Sequence, residues 1–211
     1  VSSLDSDGFT VGYSNSGGWN ENAITYAAWN WKAGGTASSN TDGSITSSVS
    51  ANQTAGFSIV TATAPTGFGN YTVGHGLSSA PEMVWSKGRD SASYWAVFAS
   101  PVTDTNRKYL QLQLTNALAT SGGDMWGAAL PTSSVVGLSA ANSSPANESF
   151  VLYCFHSVKG YSKIGKFTGN GNANGTFVHL GFRPAWVFVK KTSATGHWVL
   201  IDNKRDPFNV T

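Results

Sequence analysis

The amino-acid sequence predicts an all-β protein, a β-sandwich of the jelly-roll kind with little or no helix. Short segments of strand character follow one another at a spacing of about ten residues, and clusters of Gly, Asn and Ser separate them. Aromatic residues make up 12% of the 211 positions and include eight Trp, whereas charged residues make up only 11%. Such a chain can bury an aromatic core, but it lacks the Leu, Glu and Lys heptads of a coiled coil.

Three segments illustrate the predicted strands. Lys108–Leu114 alternates, with three Leu on one face and Tyr and Gln on the other, which is typical of a half-buried strand. Phe150–Phe155 and Ala185–Lys190 are apolar on both faces, which favours positions in the middle of a sandwich. The turn clusters between strands include 67–70, 121–124 and 169–175.

The chain also repeats itself at an offset of 103 to 105 residues. A second, weaker correspondence relates Trp29–Lys32 to Tyr153–His156. Because the register holds over several matched points, we interpret the repeat as an internal duplication. The matched pairs are Gly56–Ser58 with Gly160–Ser162, Gly76–Leu77 with Gly181–Phe182, Pro81–Lys87 with Pro184–Lys190, and Trp95–Phe98 with Trp198–Ile201.

The duplication predicts two closely packed repeats, at 1–134 and 135–211. Within the first repeat, 33–55 is rich in Gly, Ser, Thr and Asn and has no counterpart in the second, so we expect a linker or a long exposed excursion there. The second copy stops soon after its Trp198 strand. We therefore expect it to be truncated and the sequence to be a piece of a longer chain.

Five phrases carry a resemblance to a known family: Tyr26–Gly35, Asp42–Ile45, Ala55–Val60, Thr72–Leu77 and Gly160–Lys163. As a set they resemble a repeated β-sandwich module of unknown function in virion structural proteins of tailed bacteriophages, especially tail-fibre and tailspike-like proteins of marine phages. The resemblance extends from about Asp5 to Asn209. It implies a virion, hence extracellular, location, with secretion as the alternative. It transfers no catalytic or binding residue, because the shared phrases consist of glycines and core aromatics.

The residues that could perform catalysis or bind metal form no recognisable constellation. His75 lies in a Gly-His-Gly turn and falls opposite Leu180 in the repeat, so we predict a structural histidine. The acidic residues are scattered singly, whereas a glycosidase needs two carboxylates about 5–10 Å apart. No His or Cys pair has metal-ligand spacing, and Cys154 lies in an apolar run. We predict no catalytic residue, no metal and no cofactor.

Aromatic residues divide into predicted core and predicted surface. Lys87 and Lys190 end matching strands, and each is expected to lie over the Trp that opens the next strand. Trp19, Tyr94 and Trp126 lie beside turns and are the candidates for stacking on a glycan. The Trp residues assigned to the core of the repeats are Trp29, Trp31, Trp85, Trp95, Trp186 and Trp198.

These observations together predict a non-enzymatic structural or adhesive module of a phage virion fibre or similar surface appendage. The expected partners are other copies of the chain or neighbouring virion subunits, with cell-surface glycans as a further candidate. The alternative is a carbohydrate-binding or carbohydrate-cleaving β-sandwich of a secreted or virion protein, and a capsid decoration protein would show the same pattern. A net charge of +2 and the lack of a long apolar run exclude nucleic acid and membrane insertion.

Overall fold

The computed structural model describes residues 2–12, 20–26, 28–140 and 146–204. Within these ranges it contains 14 β-strands and no helix, and the strands pair antiparallel. The predicted all-β, sandwich-like class is confirmed. The chain divides into two compact units, Val1–Trp31 and Lys32–Thr211. The smaller unit contains one short hairpin of β1 (Ser3–Leu4) and β2 (Phe9–Thr10).

The larger unit is built around an eight-stranded sheet with the strand order β10-β9-β8-β7-β12-β5-β4-β3. Two ribbons accompany this sheet, one of β6 and β11 and one of β13 and β14. The strands are β3 (Ser38–Asn40), β4 (Ser47–Asn52), β5 (Phe57–Thr63), β6 (Asn70–Gly74), β7 (Met83–Gly88), β8 (Ala96–Ala99), β9 (Lys108–Gln111), β10 (Ala119–Thr120), β11 (Val135–Ser139), β12 (Ser149–Phe155), β13 (Trp186–Lys190) and β14 (Trp198–Asp202).

The main core lies between one face of the eight-stranded sheet and the β6–β11 ribbon. Alternate residues of the central strands β7 and β12 are buried, as the pleat of a sheet requires. The rings of Tyr71 on β6 and Phe150 on β12 lie 6.0 Å apart across this core. Its other large members include Val60, Val73, Val84, Phe98, Trp126, Val136, Leu138 and Leu152.

The β13–β14 ribbon packs on the other face of the sheet. The ring of Phe188 lies 6.0 Å from that of Trp85 on β7. The indole Nε1 of Trp198 donates a hydrogen bond of 2.9 Å to the carbonyl of Gln111 at the end of β9. The sheet is therefore covered by a ribbon on each face.

Segment 33–55 is part of the sheet and not a linker or an exposed excursion. It contains β3 and β4, which form one edge of the sheet. Val49 is buried, and the buried Ser47 hydroxyl donates to the Gly74 carbonyl at 2.9 Å. The alternation of Ser with Val and Ala in β4 buries one side of this Ser-rich strand.

The predicted boundary between 134 and 135 also cuts through the sandwich. β11 pairs with β6 along five residues, and β12 inserts between β5 and β7. Both edge neighbours of β12 and the cover over its core face come from the first sandwich. Val135–Phe155 therefore belongs to the first repeat, and the division of the chain into two compact units falls after Trp31.

The repeated hairpins β7–β8 and β13–β14 have the same register. Val84 faces Phe98 in the first hairpin, and Val187 faces Ile201 in the second, which are the same positions shifted by 103 residues. Gly76 and Gly181, which precede them, share the left-handed conformation, with φ of 68° and 84°. The duplication seen in the sequence thus recurs in the geometry of the hairpin.

Candidate functional site

Of the two predicted glycan contacts within the described residues, Tyr94 is accessible. It lies in the loop between β7 and β8, and 36% of its surface is exposed. Its ring stacks on Tyr109, with 6.0 Å between centroids and 27° between planes. Burial raises the pKa of the Tyr94 phenol, and the neighbouring Tyr109 adds to the rise. Tyr94 thus offers a rigid aromatic edge.

Trp126 is not a surface residue, and its predicted role in glycan binding is wrong. It is fully buried, with its ring edge-on to Phe98 at 5.7 Å and its Nε1 donating to the Lys108 carbonyl at 2.9 Å. The turn that carries it folds inward because the Asn106 carbonyl accepts from its amide at 2.8 Å. Trp19, the third candidate, lies outside the described residues.

Four of the predicted core Trp residues lie in one aromatic cluster between the sheet and the β13–β14 ribbon. They are partly buried, and their ring contacts run through Tyr153, Phe155 and Phe188, with Phe188 stacked on Trp198 at 4.8 Å. The four are Trp85, Trp95, Trp186 and Trp198.

Trp29 and Trp31 differ from the prediction. They lie in the smaller unit and are 39% and 41% exposed, so they are not buried core residues. The strands described in that unit have two residues each, which is too short to enclose an indole ring.

Lys87 and Lys190 hold the loops of the two matched hairpins. The Nζ of Lys87 donates to the Gly88 carbonyl at 2.8 Å and to the Ser93 hydroxyl at 3.0 Å. The Nζ of Lys190 donates at the two corresponding positions, to the carbonyls of Lys191 and Gly196, at 2.8 and 2.9 Å. Each lysine therefore ties the start of its loop to the end.

The predicted contact between lysine and tryptophan is confirmed in the second hairpin. The Nζ of Lys190 lies 6.0 Å from the centroid of the Trp198 ring, at the outer limit for a cation–π interaction. Burial lowers the pKa of Lys190, and the neighbouring Lys191 lowers it further.

His75 and Cys154 are buried residues with structural roles. His75 is fully buried, its Nε2 lies 3.2 Å from the Thr132 carbonyl, and its Nδ1 accepts from the Leu77 amide at 3.2 Å. This pattern fits a neutral ring with its proton on Nε2. Burial lowers the pKa of His75 and raises that of the Cys154 thiol to about 12. Neither group is set up for proton transfer or nucleophilic attack near neutral pH.

We expect His75 to make stability fall in mildly acidic solution. Its pKa is lowered in the folded chain, so the unfolded chain binds more protons as the pH falls through the ordinary value of 6.5. The free energy of unfolding, measured by urea titration, should therefore decrease between about pH 7 and pH 5. H75Q should be less stable at pH 7 but lose less on acidification, whereas H179Q, at an exposed site, should follow the parent chain.

Asp90 and Glu148 form an acidic corner that the sequence did not predict. With Ser91 and Asn147 they line an open depression of about 240 Å³. The Asp90 carboxylate accepts from the Ser149 amide at 2.6 Å, which holds the pKa of Asp90 below its ordinary value. Glu148 is buried and accepts from the Ser91 hydroxyl. These bonds tie the β7–β8 loop to the start of β12.

A hydroxyl-rich groove of about 560 Å³ lies along the β3–β4–β5 edge of the sheet. The register puts Ser39, Ser48 and Thr61 in one row across the three strands. The hydroxyl-bearing residues of its lining are Ser39, Thr46, Ser47, Ser48, Thr61 and Thr63. Closely spaced hydroxyls can exchange hydrogen bonds with a neutral, hydroxylated ligand. The sequence did not predict this groove, although the alternation of Ser with Val and Ala in β4 was a signal.

Comparison with known proteins identifies a family. The sequence matches the family described as "Domain of unknown function (DUF7483)" over residues 1–211. The chain belongs to the DUF7483 family. No curated protein and no solved structure matches it.

Metal binding and membrane insertion are two further properties that bear on the function of this DUF7483 chain. Within the described residues, no group of three or more His, Cys, Asp or Glu is placed to hold a metal ion. Over the same parts of the DUF7483 chain, no helix has the length and hydropathy to cross a membrane. The acidic corner and the hydroxyl-rich groove are the surface features on which polar side chains converge.

Proposed function

We propose that this domain is a non-enzymatic structural and adhesive module of a phage virion fibre or a comparable surface appendage. The main supporting observation is that four side chains capable of acid–base chemistry are engaged in holding the backbone. Lys87 and Lys190 close hairpin loops, His75 bridges two turns, and Asp90 binds the amide at the start of β12. Such bonds rigidify a scaffold that carries 24 Gly and few charges.

The duplicated hairpin supports a modular role. The same register, the same left-handed glycine and the same lysine bonds occur twice within one chain. Repetition of one structural unit suits an extended assembly, whose partners are further copies of the module or neighbouring subunits.

In this proposal the hydroxyl-rich groove is the adhesive surface, and it binds neutral surface glycans. Ser48 is exposed and Thr61 is half-buried, so both hydroxyls lie at the surface of the groove. Tyr94 supplies an aromatic edge on another part of the same unit. The acidic corner favours the second candidate, a carbohydrate-cleaving domain, because it brings two carboxylates to one depression.

A panel of bacterial surface polysaccharides tests both candidates. We expect calorimetry to detect binding of at least one polysaccharide with no release of reducing ends. The double variant S48A/T61V should weaken that binding about tenfold or more, because each lost hydrogen bond is worth about 1 kcal/mol.

The matched control is S133A/T195V, which removes two exposed hydroxyls outside the groove and should bind like the parent chain. If the domain releases reducing ends and E148Q abolishes that release, the domain is a carbohydrate-cleaving enzyme instead. Binding that is equally weakened by the control would remove the groove from the proposal.

A further inference from the structure

Within the described residues, the second repeat reproduces the first hairpin but not the strands that surround that hairpin in the first repeat. In the first repeat, β5 pairs with β4 and β12, and β6 pairs with β11. At offsets of 104 and 105, the segments that correspond to β5 and β6 are Tyr161–Phe167 and Gly175–His179. In the part of the chain that the structure describes, neither segment is a β-strand.

Tyr161 and Val178, one in each segment, are exposed where their counterparts are buried. Tyr161 is 60% exposed, whereas the corresponding Phe57 is 4% exposed. Val178 is 40% exposed, whereas the corresponding Val73 is completely buried. The sequence has thus kept large apolar groups at positions that a complete sandwich would cover.

The outward face of the β13–β14 ribbon shows the same contrast. Val199 and Ile201 are 48% and 37% exposed, while their counterparts Ala96 and Phe98 are 1% and 2% exposed. Because the two hairpins share one register, these residues lie on corresponding faces. In the first repeat that face packs into the core that includes β6 and β11 residues such as Val136.

We propose that the second repeat accepts a strand pair equivalent to β11 and β12, donated by a further repeat of the same module. The β12-like strand inserts between Tyr161–Phe167 and β13, as β12 inserts between β5 and β7. The β11-like strand pairs with Gly175–His179, as β11 pairs with β6. The occupant is therefore a strand apolar on both faces together with a shorter strand that covers Val199 and Ile201.

Two features of the chain select this occupant. Within the described residues β13 pairs only with β14, so its other edge is the position at which a strand could add. The first repeat shows which strands fill the corresponding edge and cover the corresponding face. The inference rests on the proposed structural role for its biological setting. Strand addition is measured separately from glycan binding and location, so either proposal can fail alone.

The test uses the full chain lengthened at its C-terminus by a second copy of residues 109–157. That copy stays in phase, since Thr211 lies 103 residues after Lys108. Hydrogen exchange should be fast for the amides of 161–167 and 175–179 in the 211-residue chain. In the lengthened chain it should slow by about 100-fold or more. The control carries F150D and L152D in the appended copy only and should show no slowing.

A second variant tests the covered face directly. V199K/I201K should leave the melting temperature of the 211-residue chain nearly unchanged, because both side chains face solvent there. In the lengthened chain the same substitutions should abolish the slowing of exchange. Slow hydrogen exchange of the β5 and β12 amides in every variant would show that the first repeat is still folded.

Three results would overturn the proposal. The first is equal exchange at 161–167 and 175–179 with and without the appended copy. The second is displacement of β11 and β12 from the first repeat by the appended strands. The third is unfolding of the 211-residue chain by V199K/I201K, which would show that another part of this chain already covers the face.

Discussion

Replacing Trp126 with Ala is expected to lower the free energy of unfolding by about 3–5 kcal/mol. The indole is completely buried, contacts Phe98 edge-on, and donates to the Lys108 carbonyl. Its removal leaves a cavity and deprives the partly buried Lys108 carbonyl of its donor, and both effects destabilise the fold. Urea titration at pH 7 measures the change.

Phe177→Ala is the matched control for this aromatic truncation. The Phe177 side chain is 86% exposed, so its loss should change the free energy of unfolding by less than about 0.5 kcal/mol. Equal effects of the two substitutions would show that Trp126 is at the surface, as the sequence had suggested.

Gly34→Ala is expected to destabilise the larger unit by about 3 kcal/mol. A Cβ at Gly34 would lie 2.0 Å from the Ala51 carbonyl oxygen and 2.6 Å from its carbonyl carbon, both backbone atoms of β4. The chain crosses β4 here, and Ser50 and Asn52 hydrogen-bond the carbonyls of Gly35 and Lys32. The added methyl group must push these segments apart, because backbone cannot move aside like a flexible side chain. Thermal unfolding measures the loss.

Gly67→Ala provides the control for added volume and lost chain entropy. A Cβ at Gly67 meets no atom within 4 Å, so this substitution should be neutral or slightly stabilising. If Gly34→Ala were equally well tolerated, the backbone at residue 34 would not lie as close to β4 as described above.

Local patterns in the sequence were sufficient to predict the hairpins and the contact between Lys190 and Trp198. Lys190 and Trp198 are separated by one tight loop, so their contact follows from strand character and register alone. The all-β class follows in the same way from alternation and turn clusters. Both features depend on residues that are close in the sequence.

Features that depend on distant strands could not be predicted. The position of β12 between β5 and β7 brings together residues separated by many turns, and the repeat suggested a boundary just before β11. Asp90 and Glu148 meet only because β7 and β12 are neighbours. The hydroxyl-rich groove likewise requires the register of β3, β4 and β5.

Three tryptophans show that the burial of a single residue is equally hard to predict from the sequence. Trp126 lies beside a Gly-rich turn, which suggests exposure, yet the Asn106 carbonyl accepts from the amide of Trp126 and folds the turn inward. Trp29 and Trp31 lie in an apolar phrase, which suggests burial, yet the short strands described in their unit cannot enclose them. Local composition does not decide burial when cover comes from another part of the chain.

The most direct test of the proposed role is to locate the domain. Antibodies raised against the 211-residue chain should be applied to intact particles and cells of its source and detected by electron microscopy. We predict labelling at regular positions along a fibre or another external appendage. Labelling confined to the cell interior, with unlabelled particles and appendages, would contradict the proposal of a structural and adhesive module.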